Sequence, residues 1–409
     1  MIVFYQQEID TFLSSEEKCH EGLSYEWEGE NVVHIRTMPL CHSFGKRGEV
    51  LFLKSDTALY REGETFDKKY SYVVFASTSN PIVVIRISNE SVIKETDIQY
   101  IPSKQNLYSR HKGLLELDIL EQKRVMIIGL GSFGSQIAVE LAKAGVGKFS
   151  LFDFDRVELH NLVRHSSYIN DLGRLKTDVI CDSIKGKNPY AQVDKYPINM
   201  NHDLDLLYEQ VSMSDIVICA TDNNASRYNL SEALVKCQKI GIFGRAITRA
   251  EGGDVFRYRP GGPCYCCLIG LTSLPQDEIT NEDDLPVYMS AEDAQAAIQV
   301  GLSADIEPIT NLMVKLTLVE LSKGSASGIS SLEEDFVYDY YIWANRRERN
   351  YKDWPSFPSA INRPTILRWY GARINKSENC PVCSSNAILD TGVEKSEIDL
   401  NEFDDLKLD

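Results

Sequence analysis

The chain has 409 residues, 43% hydrophobic and 25% charged, the proportions of an ordinary globular protein with a full core. Sixty acidic side chains against 43 basic ones leave a net charge of −17, which argues against a nucleic-acid binder with a basic face. No apolar run approaches the ~20 residues needed to cross a bilayer, and Met1–Asp10 has no basic leader, so no membrane role and a cytoplasmic location are expected.

At about 150 residues per domain, two to three domains are expected. Residues 1–107 read as a small β-rich accessory or recognition module. A polar helical stretch about Thr11–Gly22 precedes β-rich runs at Val32–Ile35, Val50–Leu53, Tyr70–Ala76 and Ile82–Ile87. Turn signals at Gly45, Gly48, Gly63 and Asn80-Pro81 separate them. Over residues 108–325 strands alternate with helices. Arg124–Gly129, Lys148–Asp153, Asp215–Ala220 and Lys239–Phe243 read as strands, and Ser132–Ala144 places Ile137, Leu141 and Ala144 at helical spacing. Strands separated by helical stretches imply βαβ units and a mainly parallel sheet. Residues 326–389 are less regular and carry the aromatic segments Phe336–Trp343 and Trp369-Tyr370. Residues 390–409 form an acidic tail of eight acids and two lysines, net −6. Ile398, Leu400, Phe403, Leu406 and Leu408 interrupt it; solvated disorder is the expectation and a short docking segment the alternative.

Gly129-Leu130-Gly131-Ser132-Phe133-Gly134 is a G-x-G-x-x-G that follows a strand and opens a helix, the context in which backbone N–H groups approach phosphates. Asp153 and Asp155 follow at the end of the next strand, where a ribose-binding carboxylate belongs. Alone, these features fit a nicotinamide-dependent dehydrogenase. The later polar groups point elsewhere: Asp153–His165, Gly173–Lys176 and Thr221–Arg227 fall at or after strand ends, which face the ligand crevice of an open α/β sheet. The extra cations Arg164 and Lys176 suit a triphosphate, and Asp222 beside them suits Mg²⁺.

Ten cysteines are too few for a disulfide scaffold. Cys264-x-x-Cys267 and Cys380-x-x-Cys383 have tetrahedral zinc spacing, with Gly261-Gly262-Pro263 supplying a turn before the first pair. Cys266 is either a spare thiol or a replacement ligand. Cys19, Cys41, Cys181, Cys219 and Cys237 read as small core hydrophobes.

In order, Gly129–Gly134, Asp153–Asp155, Asn161-x-x-Arg164-His165, Gly173-x-x-Lys176 and Thr221-Asp222-Asn223 resemble the adenylating domain of the ubiquitin-activating superfamily, whose bacterial members include ThiF, MoeB, HesA and MccB. The paired C-x-x-C resembles that family's structural zinc site, and Tyr108-Ser109-Arg110-His111 its Tyr-x-Arg lead-in. The resemblance covers roughly residues 108–325 and the second C-x-x-C; the first 105 residues lie outside it. It implies a Rossmann-like, doubly wound sheet and an ATP-dependent adenylyltransferase. The substrate would be the C-terminal carboxylate of a ubiquitin-like protein or peptide, activated as an acyl-adenylate. Gly129, Gly131 and Gly134 would line the ATP phosphates. Asp153 would hold the ribose hydroxyls, with Asp155 in the same nucleotide-binding set. Asn161, Arg164 and Lys176 would contact the triphosphate, Asp222 would hold Mg²⁺, and Arg110 would reach across a homodimer as an arginine finger. Cys264, Cys267, Cys380 and Cys383 would hold Zn²⁺. The attacking carboxylate is ionised at neutral pH, so catalysis would rest on positioning and charge neutralisation.

Two features depart from that family. The crossover loop Leu268–Pro308 contains no cysteine, only Ser273, Ser290, Ser303 and an acidic patch at Asp277–Asp284. Either the enzyme stops at the adenylate or hands it on, as in MccB-like peptide modification, or Cys266 serves, or a cysteine has been replaced, as at Ser290. Adenylation without a loop thioester is the expectation, since hydroxyls without a base are poor nucleophiles and the loop has no His. In the N-terminal module His20, His34 and His42 lack the H-x-H of a metalloprotease, so recognition is expected there. The resemblance allows, without the residues showing it, a conjugating-enzyme-like partner and a bacterial operon of ubiquitin-like conjugation or antiviral type. A non-catalytic scaffold is the alternative from another class.

Overall fold

The β-branched and aromatic runs of the first hundred residues pair into one mixed sheet. The computed structural model describes residues 1–27, 29–39, 45–54, 65–79, 81–88, 92–101, 107–247, 250–270, 301–345 and 367–384. The first sheet contains β1 (Ile2–Tyr5), β2 (Cys19–Glu26), β3 (Val33–Arg36), β4 (Lys46–Lys54), β5 (Tyr70–Ala76), β6 (Val83–Ile87), β7 (Val92–Glu95) and β8 (Ile98–Ile101). Their order is β7-β6-β5-β4-β2-β3-β1-β8. Helix α1 (Gln6–Ser14) buries Ile9 and Phe12 against Ile2, Phe4, Phe52 and Tyr72. The expected helix about Thr11–Gly22 therefore lies earlier in the chain. Ile9 and Phe12, three residues apart, supply its apolar face, and the Ser15 N–H bonded back to Thr11 and Phe12 carbonyls closes it. Cys19–Gly22 opens β2 instead and pairs with β4.

The second sheet is the Rossmann-like, doubly wound one. It orders β11 (Gln192–Tyr196), β10 (Lys148–Phe152), β9 (Arg124–Ile128), β12 (Ile216–Cys219), β13 (Ile240–Ala246), β14 (Gly252–Tyr258), β15 (Tyr340–Ala344) and β16 (Arg368–Ala372). The first five are parallel; β14, β15 and β16 extend the sheet antiparallel. The near-continuous apolar runs explain the layering. Val125 and Ile127 face one core while Met126 and Ile128 face the other, so helices must cover both sides. Helices α2 (Leu117–Leu120), α3 (Ser132–Ala144) and α4 (Lys176–Lys187) contribute to the first core. Helices α5 (Leu204–Met213), α6 (Asn224–Cys237) and α7 (Tyr265–Ile269) contribute to the second, and α8 (Ser303–Leu321) returns to the first.

Three corrections follow. The crossover segment ends before α8, so Pro308 sits inside a helix, where it removes one backbone bond. Ser303 is the first residue of that helix, its hydroxyl bonded to Gln136 of α3 at 3.1 Å. Cys19 is exposed at the start of β2 and Cys237 is half-buried, unlike the buried Cys181 and Cys219. Cys41, His42, Gly63, Asn80, Ser273, Asp277–Asp284, Ser290 and the tail 390–409 lie outside the described residues. Arg257, 1% exposed, ties β14 to α8 through Glu320 at 3.1 Å and to the lead-in of β15 through Asp339 at 3.0 Å. Among the described residues no helix is long and apolar enough to cross a membrane.

Candidate nucleotide site and cysteine centre

The three glycines of the turn after β9 meet three different demands. Gly129 has φ +82°, a left-handed conformation, and a Cβ there would stand 2.8 Å from the Ala220 carbonyl oxygen of the neighbouring strand end. A Cβ at Gly134 would stand 1.9 Å from the Gly129 oxygen, so only glycine lets α3 approach the strand. Gly131, the N-terminal boundary residue of α3, faces open space, with nothing within 4 Å of a built Cβ. The first-turn N–H groups of a helix have no intrahelical acceptor, and such a terminus favours an anion.

The neighbouring strand end locks this turn from below. Asp153, following β10, accepts the Leu130 N–H at 2.6 Å and the Asp155 N–H at 2.8 Å. Burial pushes its carboxyl up, against the opposing pull of Lys176 and these two donors. Two further acceptor sites on the carboxylate remain for a hydroxyl donor. His165 holds the other backbone group of the same residue, its Nε2 2.7 Å from the Leu130 oxygen, while its Nδ1 accepts the Ser167 N–H at 3.0 Å. That pair of contacts fixes the neutral tautomer protonated on Nε2. Sequence reading quoted His165 only as part of a motif; here it is the pin between the polar loop and the glycine turn.

Burial holds the His165 imidazole down from 6.5 to about 4. The unfolded chain therefore takes up a proton between pH 6.5 and about 4 that the folded chain refuses, and stability falls as pH falls through that window. His165→Gln should flatten the slope. Urea unfolding at pH 7 and pH 4.5 is expected to show wild type losing about 2 kcal/mol more than the variant. Equal losses would mean that this imidazole does not carry the pH dependence.

Lys176, the first residue of α4, is buried, and its Nζ pairs with Asp155 Oδ2 at 2.7 Å. Asn161 is half-buried, and its Oδ1 accepts the Glu158 N–H at 3.0 Å, capping the turn Leu159–Asn161. Arg164 is half-buried, its carbonyl accepting Gln136 at 3.2 Å, and desolvation lowers its pKa. Asp222 is exposed three residues beyond Cys219, the end of β12, and immediately before Asn223, which caps α6 by accepting the Ser226 N–H at 2.8 Å. Arg227, buried in the first turn of α6, donates to the Thr221 oxygen at 2.7 Å and to Asn224 at 3.2 Å. It braces the Asp222 turn, a part the sequence signalled only as one more cation in the run Thr221–Arg227. Strand ends thus bring Gly129, Asp153 and Asp222 to one edge of the sheet.

Arg110 is not among them. It is exposed in the turn Ser109–His111, whose neighbour Tyr108 donates to the Ala142 oxygen at 3.0 Å near the C-terminal end of α3. The glycine turn lies at the opposite end of that 13-residue helix, about 20 Å away.

The four cysteines of the two C-x-x-C pairs come together in the second core, all buried, with their sulfur atoms within 4.8 Å of one another. Cys264 lies 3.9 Å from Cys267 and 3.5 Å from Cys380, and Cys267 lies 3.4 Å from Cys383. A tetrahedral ion with bonds of about 2.3 Å needs sulfur–sulfur separations of about 3.8 Å, so four thiolates in this arrangement fit zinc. The Ser377 N–H, 3.4 Å from Cys267 Sγ, supplies a supporting hydrogen bond. Cys266 is half-buried and outside that set of four.

The profile described as the ThiF family matches residues 104–324, just over half of the chain. The chain belongs to the ThiF family. Curated relatives of this ThiF-family chain include the adenylyltransferase and sulfurtransferase MOCS3 of Anopheles gambiae, 32% identical over 183 residues, 43% of this chain and 41% of the relative. They also include the molybdopterin-synthase adenylyltransferase of Escherichia coli (strain K12), 35% identical over 156 residues, 38% of this chain and 61% of the relative. The chain thus spans less than two thirds of the length of either. Among solved structures it is similar to E. coli MccB with ATP, at 17% identity and TM-score 0.45, covering 66% of this chain and 68% of that one. The likeness to E. coli MccB with SeMet MccA is 20% identity and TM-score 0.49, covering 69% and 75%.

Proposed function

We propose that this ThiF-family chain is an ATP-dependent adenylyltransferase that activates the C-terminal carboxylate of a ubiquitin-like protein or peptide. The observation that carries the reading is the glycine turn Gly129–Gly134, pinned at Leu130 by Asp153 and His165 and flanked at the next strand end by Asp222. That is a preorganised phosphate cradle with a ribose-side carboxylate on one flank and a second carboxylate on the other. The relatives named as adenylyltransferases support the same chemistry.

In the reaction a carboxylate oxygen of the substrate attacks the α-phosphorus of ATP. The bond from that phosphorus to the bridging oxygen breaks, and pyrophosphate leaves with the electron pair. Both reactants are anionic, so the residues' task is to neutralise and align. Lys176 and Arg164 supply positive charge, the α3 N–H groups hold phosphate oxygens, and Asp153 fixes the ribose. Asp222 would hold Mg²⁺, which supplies further neutralisation of phosphate charge when bound. The four cysteines would hold zinc as a structural staple.

Two further parts of the reading concern partners. Phe154, Leu159, Val163, Tyr168, Ile169 and Leu172 are all exposed in the loops that follow β10, a concentration of apolar surface that supports a second copy docking there. Arg110, remote from its own glycine turn, would serve the partner's site in that homodimer. Residues 1–107 would recognise the protein substrate or a conjugating-enzyme-like partner, in an operon of ubiquitin-like conjugation or antiviral type.

ATP–pyrophosphate exchange with candidate carboxylate substrates tests the activity; a chain that binds ATP and supports no exchange with any of them refutes it. Two glycine variants separate binding from folding. Gly131→Ala puts a methyl into open space and is expected to keep the wild-type melting temperature while weakening ATP binding at least about tenfold. Gly134→Ala must displace the Gly129 carbonyl and is expected to lower the melting temperature as well. Calorimetric ATP titration beside thermal melts reads both, and unaltered ATP affinity in Gly131→Ala would remove the turn from the phosphate site.

A further inference from the structure

Among the described residues, two buried hydrogen-bond donors stand without a partner near the C-terminal ends of β12 and β13. Arg245, near the C-terminal end of β13, directs Nε to Asp254 of β14, at 3.0 and 2.8 Å from the two carboxylate oxygens. Tyr340 donates to the same carboxylate at 3.0 Å. The Arg245 Nη2 is buried and has no hydrogen-bond partner among the described residues. Tyr265, 2% exposed, stacks on Phe243 at 4.9 Å, and its hydroxyl is also buried, with no partner among the described residues. Phe243 and Arg245 are two residues apart on β13 and so share one face of the sheet. The charges of Arg227, Arg245 and Asp254 all reach the Tyr265 hydroxyl. A guanidinium N–H and a phenol O–H are both donors, and buried donors without acceptors are costly unless something fills the gap.

Their place in the sheet says what arrives there. Cys219 of β12 pairs with Phe243, so Thr221 and Arg245 stand level just beyond the pairing, with Asp222 next in the chain. β9, which carries the glycine turn, is one strand further on. At about 4.8 Å per strand, Arg245 lies about 10 Å from that turn, the span of about three extended residues. Asp153 is on the other side of β9. A nucleotide with its ribose at Asp153 and its phosphates at Gly129–Gly134 leaves the β12–β13 flank to the acyl substrate.

Resting on the adenylation reading above, we infer that Arg245 Nη2 and Tyr265 Oη together receive an oxygen of the substrate's C-terminal tail and so set its register against ATP. The acceptor is a main-chain carbonyl or the terminal carboxylate. Both residues are positioning residues.

The probe is a pool of mixed-sequence octapeptides with free C-terminal carboxylates, beside the same pool amidated. Equilibrium dialysis against the full chain with ATP measures retention. Tyr265→Phe removes one hydroxyl, and Arg245→Lys keeps a cation opposite Asp254 while removing Nη2. Each is expected to lower retention of the free-acid pool about tenfold, with ATP affinity and melting temperature unchanged. A loss shared by the amidated pool assigns the carbonyl, and a loss confined to the free-acid pool assigns the carboxylate. Retention unchanged in both variants overturns the inference, as does no retention by wild type. A fall in the Tyr265→Phe melting temperature with retention intact also overturns it, because the donors then hold an internal water. Retention by wild type without ATP–pyrophosphate exchange leaves the donor pair standing and overturns the adenylation reading instead.

Discussion

Replacing Asp222 with alanine is expected to lower ATP–pyrophosphate exchange by at least about 10³-fold and to leave the melting temperature unchanged. The two halves of that expectation come from one observation. Asp222 is exposed at a strand end, outside both cores, so the fold loses little without it. In the proposed site a carboxylate beside a triphosphate is unfavourable unless it organises a cation, so the proposal gives Asp222 the divalent ion that would accompany ATP. Asp222→Asn keeps the shape and loses the charge; it should fall almost as far as alanine. Exchange at the wild-type rate in either variant would take Asp222 out of the chemistry and leave it as a surface residue of the α6 cap.

The second large effect is expected at the cysteine centre. Cys380→Ser should reduce bound zinc from about one equivalent to a small fraction, read by elemental analysis of the purified protein. The melting temperature should drop by about 10 °C, the size of a loss of about 3 kcal/mol in a domain of this scale. The reason is mechanical. The site joins α7 and the segment after β16, and its four buried sulfurs complete the second core together with Tyr258, Tyr265 and Ile342. Without an ion, burial drives the Cys380 thiol up to about 11, so the unmetallated cluster is a set of buried thiols with poor partners. Zinc-free protein with an unchanged melt would refute the staple.

Much of the second sheet was legible in the residues because its strands are buried on both faces. Val125–Ile128 and Ile216–Cys219 are unbroken apolar runs, and α3 coincides with the expected helix because Gly131 and Gly145 bracket it. β11 and β14 were missed for opposite reasons. β11 is an edge strand whose exposed positions read as polar, and β14 begins with two glycines and includes Asp254 and Arg257, charges that resemble a loop until their buried partners are seen. In the first sheet β1 went unread because four residues at the start of the chain carry no pattern; their partners are β3 and β8, far along the sequence. The glycine turn was readable because each glycine's demand is local. The pairing of Lys176 with Asp155, the His165 pin and the Arg245–Asp254–Tyr340 cluster were not, since each joins side chains from separate elements.

The cysteine centre also sets a timetable. Its first pair, at Cys264 and Cys267, and its second, at Cys380 and Cys383, are separated by more than a hundred residues of chain. At about 5–20 residues per second, a ribosome takes roughly 6–20 seconds to pass from one to the other. Throughout that interval the nascent chain offers two adjacent thiols, with Cys266 between them, and no complete site to receive a metal. β15 and β16 are made in the same interval, so the antiparallel half of the sheet cannot close before the second pair approaches. With zinc at this centre as proposed, oxidation of the first pair during synthesis would block metallation until the disulfide is reduced, so metallation would depend on a reducing environment at the ribosome as well as on zinc supply.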